Sequence, residues 1–139
     1  MKNRMKGLAH IGIHTEDVTK SMEFYTETLG FDYMDLREVP APNGVTKLGF
    51  VNAGNLIIEL VQPADISGIK DRRLGPVDHV AIEVDDIDGI IDNLKNKNVV
   101  FNTPEKSNNP YLFNGISNIF FKGPNGENLE LFQYHSAKE

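Results

Sequence analysis

Cysteine is absent from the 139 residues, and that one absence removes three chemistries together. Disulfides, thiolate nucleophiles and zinc–cysteine sites are all excluded. Long apolar runs and a signal-peptide pattern are missing too, so the sequence predicts a soluble, cytoplasmic protein with no membrane partner. Positive charge is scarce: 14 Lys and Arg stand against 20 Asp and Glu, a net charge of −6. A nucleic-acid binder needs a basic surface to displace counterions, so no nucleic-acid partner is expected. The one basic cluster is "KDRR", Lys70 to Arg73. It reads as a solvated linker, with a clamp for an anionic substrate as the alternative.

What is present is a histidine placed twice in one local setting. "LAHIGIHTEDV" carries His10 in an apolar alternation followed by capping residues, and "VDHVAIEVDDI" does the same around His79. An offset of 69 sets His10 on His79, Gly12 on Ala81, Ile13 on Ile82 and Asp17 on Asp86. Near the ends of the halves an offset of 71 sets Phe50 on Phe121, Glu59 on Glu130, Leu60 on Leu131 and Gln62 on Gln133. The order of elements agrees with these matches, which makes the case for an internal repeat.

In the first half, residues 6–14 alternate as a strand, with Ala9, Ile11 and Ile13 on one face and His10, Gly12 and His14 on the other. Thr15, Glu16 and Asp17 offer N-cap chemistry, and Val18, Met22, Tyr25 and Leu29 follow helical spacing up to Gly30 at C′. Phe24 and Tyr25 read as core residues. Strands are predicted at 31–38, 46–52 and 55–61, with a Gly54-Asn55 turn before the last. The second half repeats the plan. A strand over 77–84 leads through Asp85-Asp86 into a helix bearing Ile87, Ile90, Ile91 and Leu94. Strands near 98–103, 117–122 and 127–134 follow, the last after a "GPNGE" turn.

The predicted fold is therefore α+β: two tandem βαβββ modules, about 5–63 and 76–135, joined by a linker over about 64–75. About seventy residues bury too little surface to stand alone, so the modules are expected to form a single domain over 1–139. Two curved mixed sheets then enclose a cleft lined by equivalent strand positions. "NTPEKSNNPYLFNG" reads as a long polar loop ending in Tyr111 and Phe113, either a lid over that cleft or a solvated loop with packed aromatics.

His10, Glu59, His79 and Glu130 are the candidate metal ligands. Two imidazoles and two carboxylates suit a borderline divalent ion such as Zn, Ni, Co, Fe or Mn. Either histidine alone is more often a hydrogen-bonded strand residue than a ligand. The glutamates are harder to dismiss, because "NLIIELV" and "NLELF" would bury an unpaired carboxylate at a cost of several kcal/mol. Salt bridges to lysine or arginine remain the plainer alternative.

These residues carry a resemblance. The stretches "HIGIHTEDVTKSMEFYTETLGF", "LIIELVQP", "GPVDHVAIEVDD" and "IFFKGPNGENLELFQ" span most of the chain and resemble the vicinal oxygen chelate superfamily. That superfamily includes glyoxalase I, methylmalonyl-CoA epimerase, the fosfomycin- and bleomycin-resistance proteins and the extradiol dioxygenases. The resemblance places His10, Glu59, His79 and Glu130 at the four metal-ligand positions of the glyoxalase I and epimerase type. Bleomycin-binding relatives generally lack that set, while dioxygenases and fosfomycin-modifying relatives use three ligands.

The resemblance thus implies an enzyme with one divalent metal per site, Ni, Co or Zn, that forms a homodimer. The expected activity is that of a glyoxalase I-like lyase, which converts the hemithioacetal of a 2-oxoaldehyde to a 2-hydroxyacyl thioester. Glu130 or Glu59 would carry the proton. Where glutathione-dependent bacterial relatives have arginine and asparagine, this chain has His14 and Pro63. His14 shares a face with His10 and becomes a possible substrate-pocket residue.

Epimerase-like proton transfer on methylmalonyl-CoA is the alternative, on the stretch "VPAPNGVTKLGFVNAGNLIIELVQP". Lys47 and Asp78 depart from that pattern, replacing a carboxylate and a histidine found in some epimerases. A pocket that binds a small molecule without catalysis is the second alternative.

Overall fold

A computed structural model describes residues 8–70, 77 and 79–136, apart from the Lys70 side chain. The chain divides into two compact units, Met1–Arg72 and Arg73–Glu139. Each described unit runs β-α-β-β-β, as the repeat predicts.

In unit 1, β1 (Ile11–His14) leads into α1 (Val18–Glu23), which continues as a π-helical turn over Phe24–Thr28. β2 (Asp32–Ala41), β3 (Gly44–Ala53) and β4 (Leu56–Gln62) follow, and α2 (Ser67–Lys70) is a single short turn within the predicted linker. The sheet order is β1-β4-β3-β2. β1 lies parallel to β4, and the other pairs are antiparallel.

The local chemistry explains these boundaries. The Asp17 side chain caps α1 by accepting from the Lys20 amide, satisfying one of the donors a helix start leaves free. At the other end Leu29 N–H reaches the Phe24 carbonyl five residues back, and Gly30 takes the positive φ of 77° that ends the helix. The helix turns Val18, Met22 and Tyr25 onto the sheet, where Val51, Ile58 and Leu60 are also buried. Ile58 and Leu60 occupy the core face of β4; Glu59, between them, takes the opposite face by the period of two.

Unit 2 has β5 (Val80–Glu83), α3 (Ile87–Asn96), β6 (Ser107–Asn109), β7 (Ile116–Lys122) and β8 (Asn128–Tyr134). Its sheet order, β5-β8-β7-β6, matches that of unit 1 position for position. Asp86 caps α3 through the Gly89 amide, and Ile87, Ile91 and Leu94 are buried while Ile90 is exposed. β7 and β8 contribute Ile119, Phe121, Leu129 and Leu131 to the core.

Four differences from the sequence reading have physical causes. Among the described residues the first strands cover less than the predicted 6–14 and 77–84, because β1 and β5 pair only over the four residues opposite β4 and β8; residues 6, 7 and 78 lie outside the described residues. No strand forms over 98–103. Asn98 sits at a φ of 67°, and Phe101 makes only an isolated bridge to Phe121. The strand beside β7 is instead β6, which arises within the predicted loop.

The third difference concerns Phe50, which matches Phe120 rather than Phe121. Phe50 stands opposite Glu59 and Phe120 opposite Glu130. The paired residues Phe120 and Glu130 are one position further apart in sequence than Phe50 and Glu59, which changes the offset from 70 to 71 across the turn. The fourth concerns the lid loop: Tyr111 is 91% exposed, whereas Phe113 packs edge-on against Phe132 and Tyr134.

Beneath that loop, buried Ser117 donates to Asn108 Oδ1 at 2.5 Å and lies 2.7 Å from His135 Nε2. Because the hydroxyl proton goes to Asn108, His135 supplies the N–H of the second contact. Among the described residues no helix is long and apolar enough to cross a membrane.

Candidate functional site

Each unit brings its predicted ligand histidine to its predicted glutamate. His10 stands one residue before β1, and its Nε2 lies 3.3 Å from Glu59 Oε1 on β4. His79 stands one residue before β5, and its Nε2 lies 3.2 Å from Glu130 Oε1 on β8. The likeness has a backbone cause. Gly12 pairs with Glu59 and Ala81 with Glu130 in the same parallel register, so each histidine stands two residues before the glutamate's partner.

A phenylalanine completes each pair. Phe50 meets the His10 ring edge-on at 6.0 Å, and Phe120 meets the His79 ring at 5.5 Å. Both arrive directly opposite the glutamate on the neighbouring strand, at a cross-strand position close enough for side chains to interact. The aromatic edge limits the rotation of the imidazole and leaves Nε2 facing the carboxylate.

The two glutamates differ in their surroundings. The Glu59 side chain is 20% exposed and that of Glu130 only 6%. Asn118 on β7 donates its amide to Glu130 Oε2 at 2.7 Å, so both carboxylate oxygens of Glu130 are held. Burying a carboxylate is costly unless hydrogen bonds replace its water, and His79 and Asn118 supply them. Sequence reasoning gave Asn118 no role. Its signal is positional: it stands two residues before Phe120, hence on the same face of β7 and diagonal to Glu130.

Both pairs fit a divalent ion as donor sets. Adjacent ligands on an octahedral ion, each about 2.1 Å from the metal, lie about 3.0 Å apart, close to the separations seen in both units. Within either unit, among the described residues, no third His, Asp or Glu joins the pair. His14 ends β1 as an exposed residue opposite Val61. Asp71, Arg72, Arg73 and Asp78 lie outside the described residues, as does the Lys70 side chain.

A model of the Glyoxalase/Bleomycin resistance protein/Dioxygenase superfamily matches residues 9–133. The chain belongs to that superfamily, which includes enzymes and non-catalytic resistance proteins alike. It is 33% identical over 97 residues to mitochondrial methylmalonyl-CoA epimerase of Mus musculus, a match covering 66% of this chain and 53% of that one. The chain thus spans about half the length of the epimerase. It is 31% identical over 138 residues to a probable lactoylglutathione lyase of Synechocystis sp., covering 95% and 98% of the two chains.

The fold is similar to that of the fosfomycin resistance protein FosX of Listeria monocytogenes, solved in complex with Mn(II) and sulfate. The TM-score is 0.66 at 17% identity, with 96% of this chain and 97% of that one covered.

Proposed function

We propose that the protein is a metal-dependent enzyme that moves a proton at a carbon next to a carbonyl, with the hemithioacetal of a 2-oxoaldehyde as substrate and a 2-hydroxyacyl thioester as product. In this reading the two units act as one domain over residues 1–139, in a cytoplasmic homodimer. His10, Glu59, His79 and Glu130 together hold one Ni, Co or Zn ion, from a single chain or from two. The observation that carries the reading is the repeated His–Glu pair, with Nε2 to Oε1 separations of 3.3 and 3.2 Å at the same sheet register.

The bound ion would supply Lewis-acid stabilisation of the negative charge that develops on the substrate oxygens. The chain's own part is proton movement. A glutamate carboxylate accepts the proton from the substrate carbon, the C–H electron pair passes into an enediolate, and the proton is returned to the neighbouring carbon. His14, at the exposed end of β1, is assigned to the substrate side of the site. The Synechocystis relative, matched over nearly its full length, supports this substrate class.

The epimerase match supports a second reading, in which the same base chemistry acts on methylmalonyl-CoA. There one carboxylate takes the proton from one face and the other delivers a proton to the opposite face. The two substrates share the enolate step and differ in the group that holds them.

The test is thioester formation from methylglyoxal and glutathione by metal-stripped protein, before and after Ni, Co or Zn is added. Epimerisation of methylmalonyl-CoA is followed in parallel by deuterium uptake from solvent. Metal-dependent thioester supports the first reading; deuterium uptake without thioester selects the second. Tight binding of a small ligand by metal-free protein, with no turnover of either substrate, overturns both in favour of a binding protein.

A further inference from the structure

We infer that Arg37 holds the anionic end of the substrate, a carboxylate on the arm that carries its thiol, and that Asp35 competes with that carboxylate for the guanidinium. The inference deepens the functional reading above and rests on it for one thing, the placing of the reacting carbon at Glu59.

The observations come from unit 1 alone. Arg37 pairs with Leu48, Leu48 with Val61 and Val61 with His14, so one row crosses all four strands of the sheet. That row lies two residues along from the row of Asp35, Phe50, Glu59 and Gly12 and, by the period of two, on the same face. Leu48 and Val61 form a half-buried apolar floor, with exposed Arg37 and His14 at its two ends. An apolar centre with hydrogen-bond donors at both edges suits an arm that is largely uncharged and ends in an anion.

The guanidinium is available for that anion. Arg37 Nε donates to Asp35 Oδ2 at 2.8 Å, and the Leu36 N–H reaches Asp35 Oδ1 at 2.9 Å. Asp35 is the recorded partner of Arg37 among the described residues, and it engages the group through Nε. The two terminal nitrogens make a second fork, of the spacing that binds a carboxylate through both its oxygens. The Arg37 side chain is 70% exposed, so a ligand reaches it. Asp35 keeps the side chain on this face and weakens its pull on an anion.

The matching row of unit 2 ends differently. Ser107 pairs with Asn118, Asn118 with Phe132 and Phe132 with Glu83, so serine and glutamate stand where unit 1 has arginine and histidine. Glu83 repels an anion, which directs a carboxylate to the row of unit 1.

The register also sets the length of the arm. With strands about 4.8 Å apart and about 3.3 Å per residue, the Arg37 backbone stands about 12 Å from that of Glu59, two strands across and two residues along. An extended tripeptide spans about 10–11 Å. A thiol arm of that size, with a terminal carboxylate, reaches Arg37 from a carbon at Glu59.

The probes are S-methylglutathione, a tripeptide thioether that ends in carboxylates, and its dimethyl ester, which has none. Binding of each to wild type, Arg37→Gln, Arg37→Lys and Asp35→Asn is measured by calorimetry on the full chain. Wild type is expected to prefer the acid over the ester by about tenfold or more, and Arg37→Gln to weaken acid binding about 10–100-fold and erase the preference. Arg37→Lys keeps the charge without the fork and falls between the two. Asp35→Asn frees the guanidinium and tightens acid binding about 2–5-fold. In turnover of the glutathione hemithioacetal, KM follows the same order while kcat changes little.

Opposite shifts from the two partners mark a ligand site, because either variant breaks a merely structural ion pair and would act in one direction. Both side chains are exposed, so the variants are expected to fold. Shifts in the same direction, shifts within about twofold, or a wild type that binds acid and ester alike overturn the inference. Metal-dependent turnover of the hemithioacetal then leaves the functional reading standing. If neither proposed substrate turns over while the probes behave as expected, that reading falls and Arg37 stands as the anchor of a carboxylate ligand.

Discussion

Gln62 accepts the backbone N–H of Val18 at 2.8 Å, tying the last strand of unit 1 to the first residue of its helix. Gln133 does the same for Ile87 at 2.8 Å in unit 2. These amides belong to the first turn of a helix, where no carbonyl within the helix is available. Asp17 and Asp86 take a second amide of each first turn, so the starts of α1 and α3 are each held by one local and one distant side chain. The distant contact also sets the height of the helix along β4 or β8.

Replacing either glutamine by alanine leaves a partly buried amide without its acceptor, so each variant is expected to lose about 1–2 kcal/mol of stability. Chemical denaturation with an unchanged m-value is the measurement. A change within error in both variants would mean that the bridge is not a stabilising element.

Much of this was legible in the sequence, because the informative signals were local. Alternation around Ile11 and Ile13, the aspartates before each helix and the Gly54 turn all appear where the pattern put them. The His–Glu proximity within each unit then follows from strand order, which brings the start of β1 to the middle of β4.

What escaped the sequence depends on pairing. Val99, Val100 and Phe101 read as a strand in isolation, but only Phe101 bridges to β7, and Ser107–Asn109 pairs with that strand instead. The π-helical turn at Phe24–Thr28 is invisible to a 3.6-residue period. Asn118 has no meaning until the register sets it diagonal to Glu130.

Acidification offers a test on the surface. Arg37 Nε donates to Asp35 Oδ2 at 2.8 Å, and this hydrogen bond is the main reason the Asp35 carboxyl is held below its usual value of 3.8. A carboxylate whose folded pKa is depressed contributes stability above its unfolded pKa and loses it as pH falls through the folded value. Arg37→Gln should therefore raise the Asp35 titration midpoint towards its usual value, and high salt should shift wild type the same way. The pair is solvent-exposed, so the change in overall stability is expected to be small. Carboxyl carbon NMR shifts followed from pH 6 to about pH 2 read the midpoint directly. An unmoved midpoint in the variant would show that Arg37 is not its cause.

Helix and sheet of unit 1 approach closely at Gly49, and the effect on stability can be isolated. A Cβ built on Gly49 would lie 2.6 Å from Met22 Sδ and 3.1 Å from Val18 Cγ2, so α1 rests on β3 where only hydrogen fits. The matching register position in unit 2 is Ile119, opposite Leu131 as Gly49 is opposite Leu60. Gly49→Ala is therefore expected to cost about 1–3 kcal/mol by overpacking. Met22→Ala alone removes a buried side chain and is expected to cost about 2–5 kcal/mol. The double variant gives the new methyl part of the vacated volume, so its loss should fall short of the summed single losses by about 0.5–3 kcal/mol. A double-mutant cycle by denaturant unfolding measures that coupling. Strict additivity would mean that Met22 already moves aside for a Cβ at no cost, and that the close approach is not what excludes a side chain at Gly49.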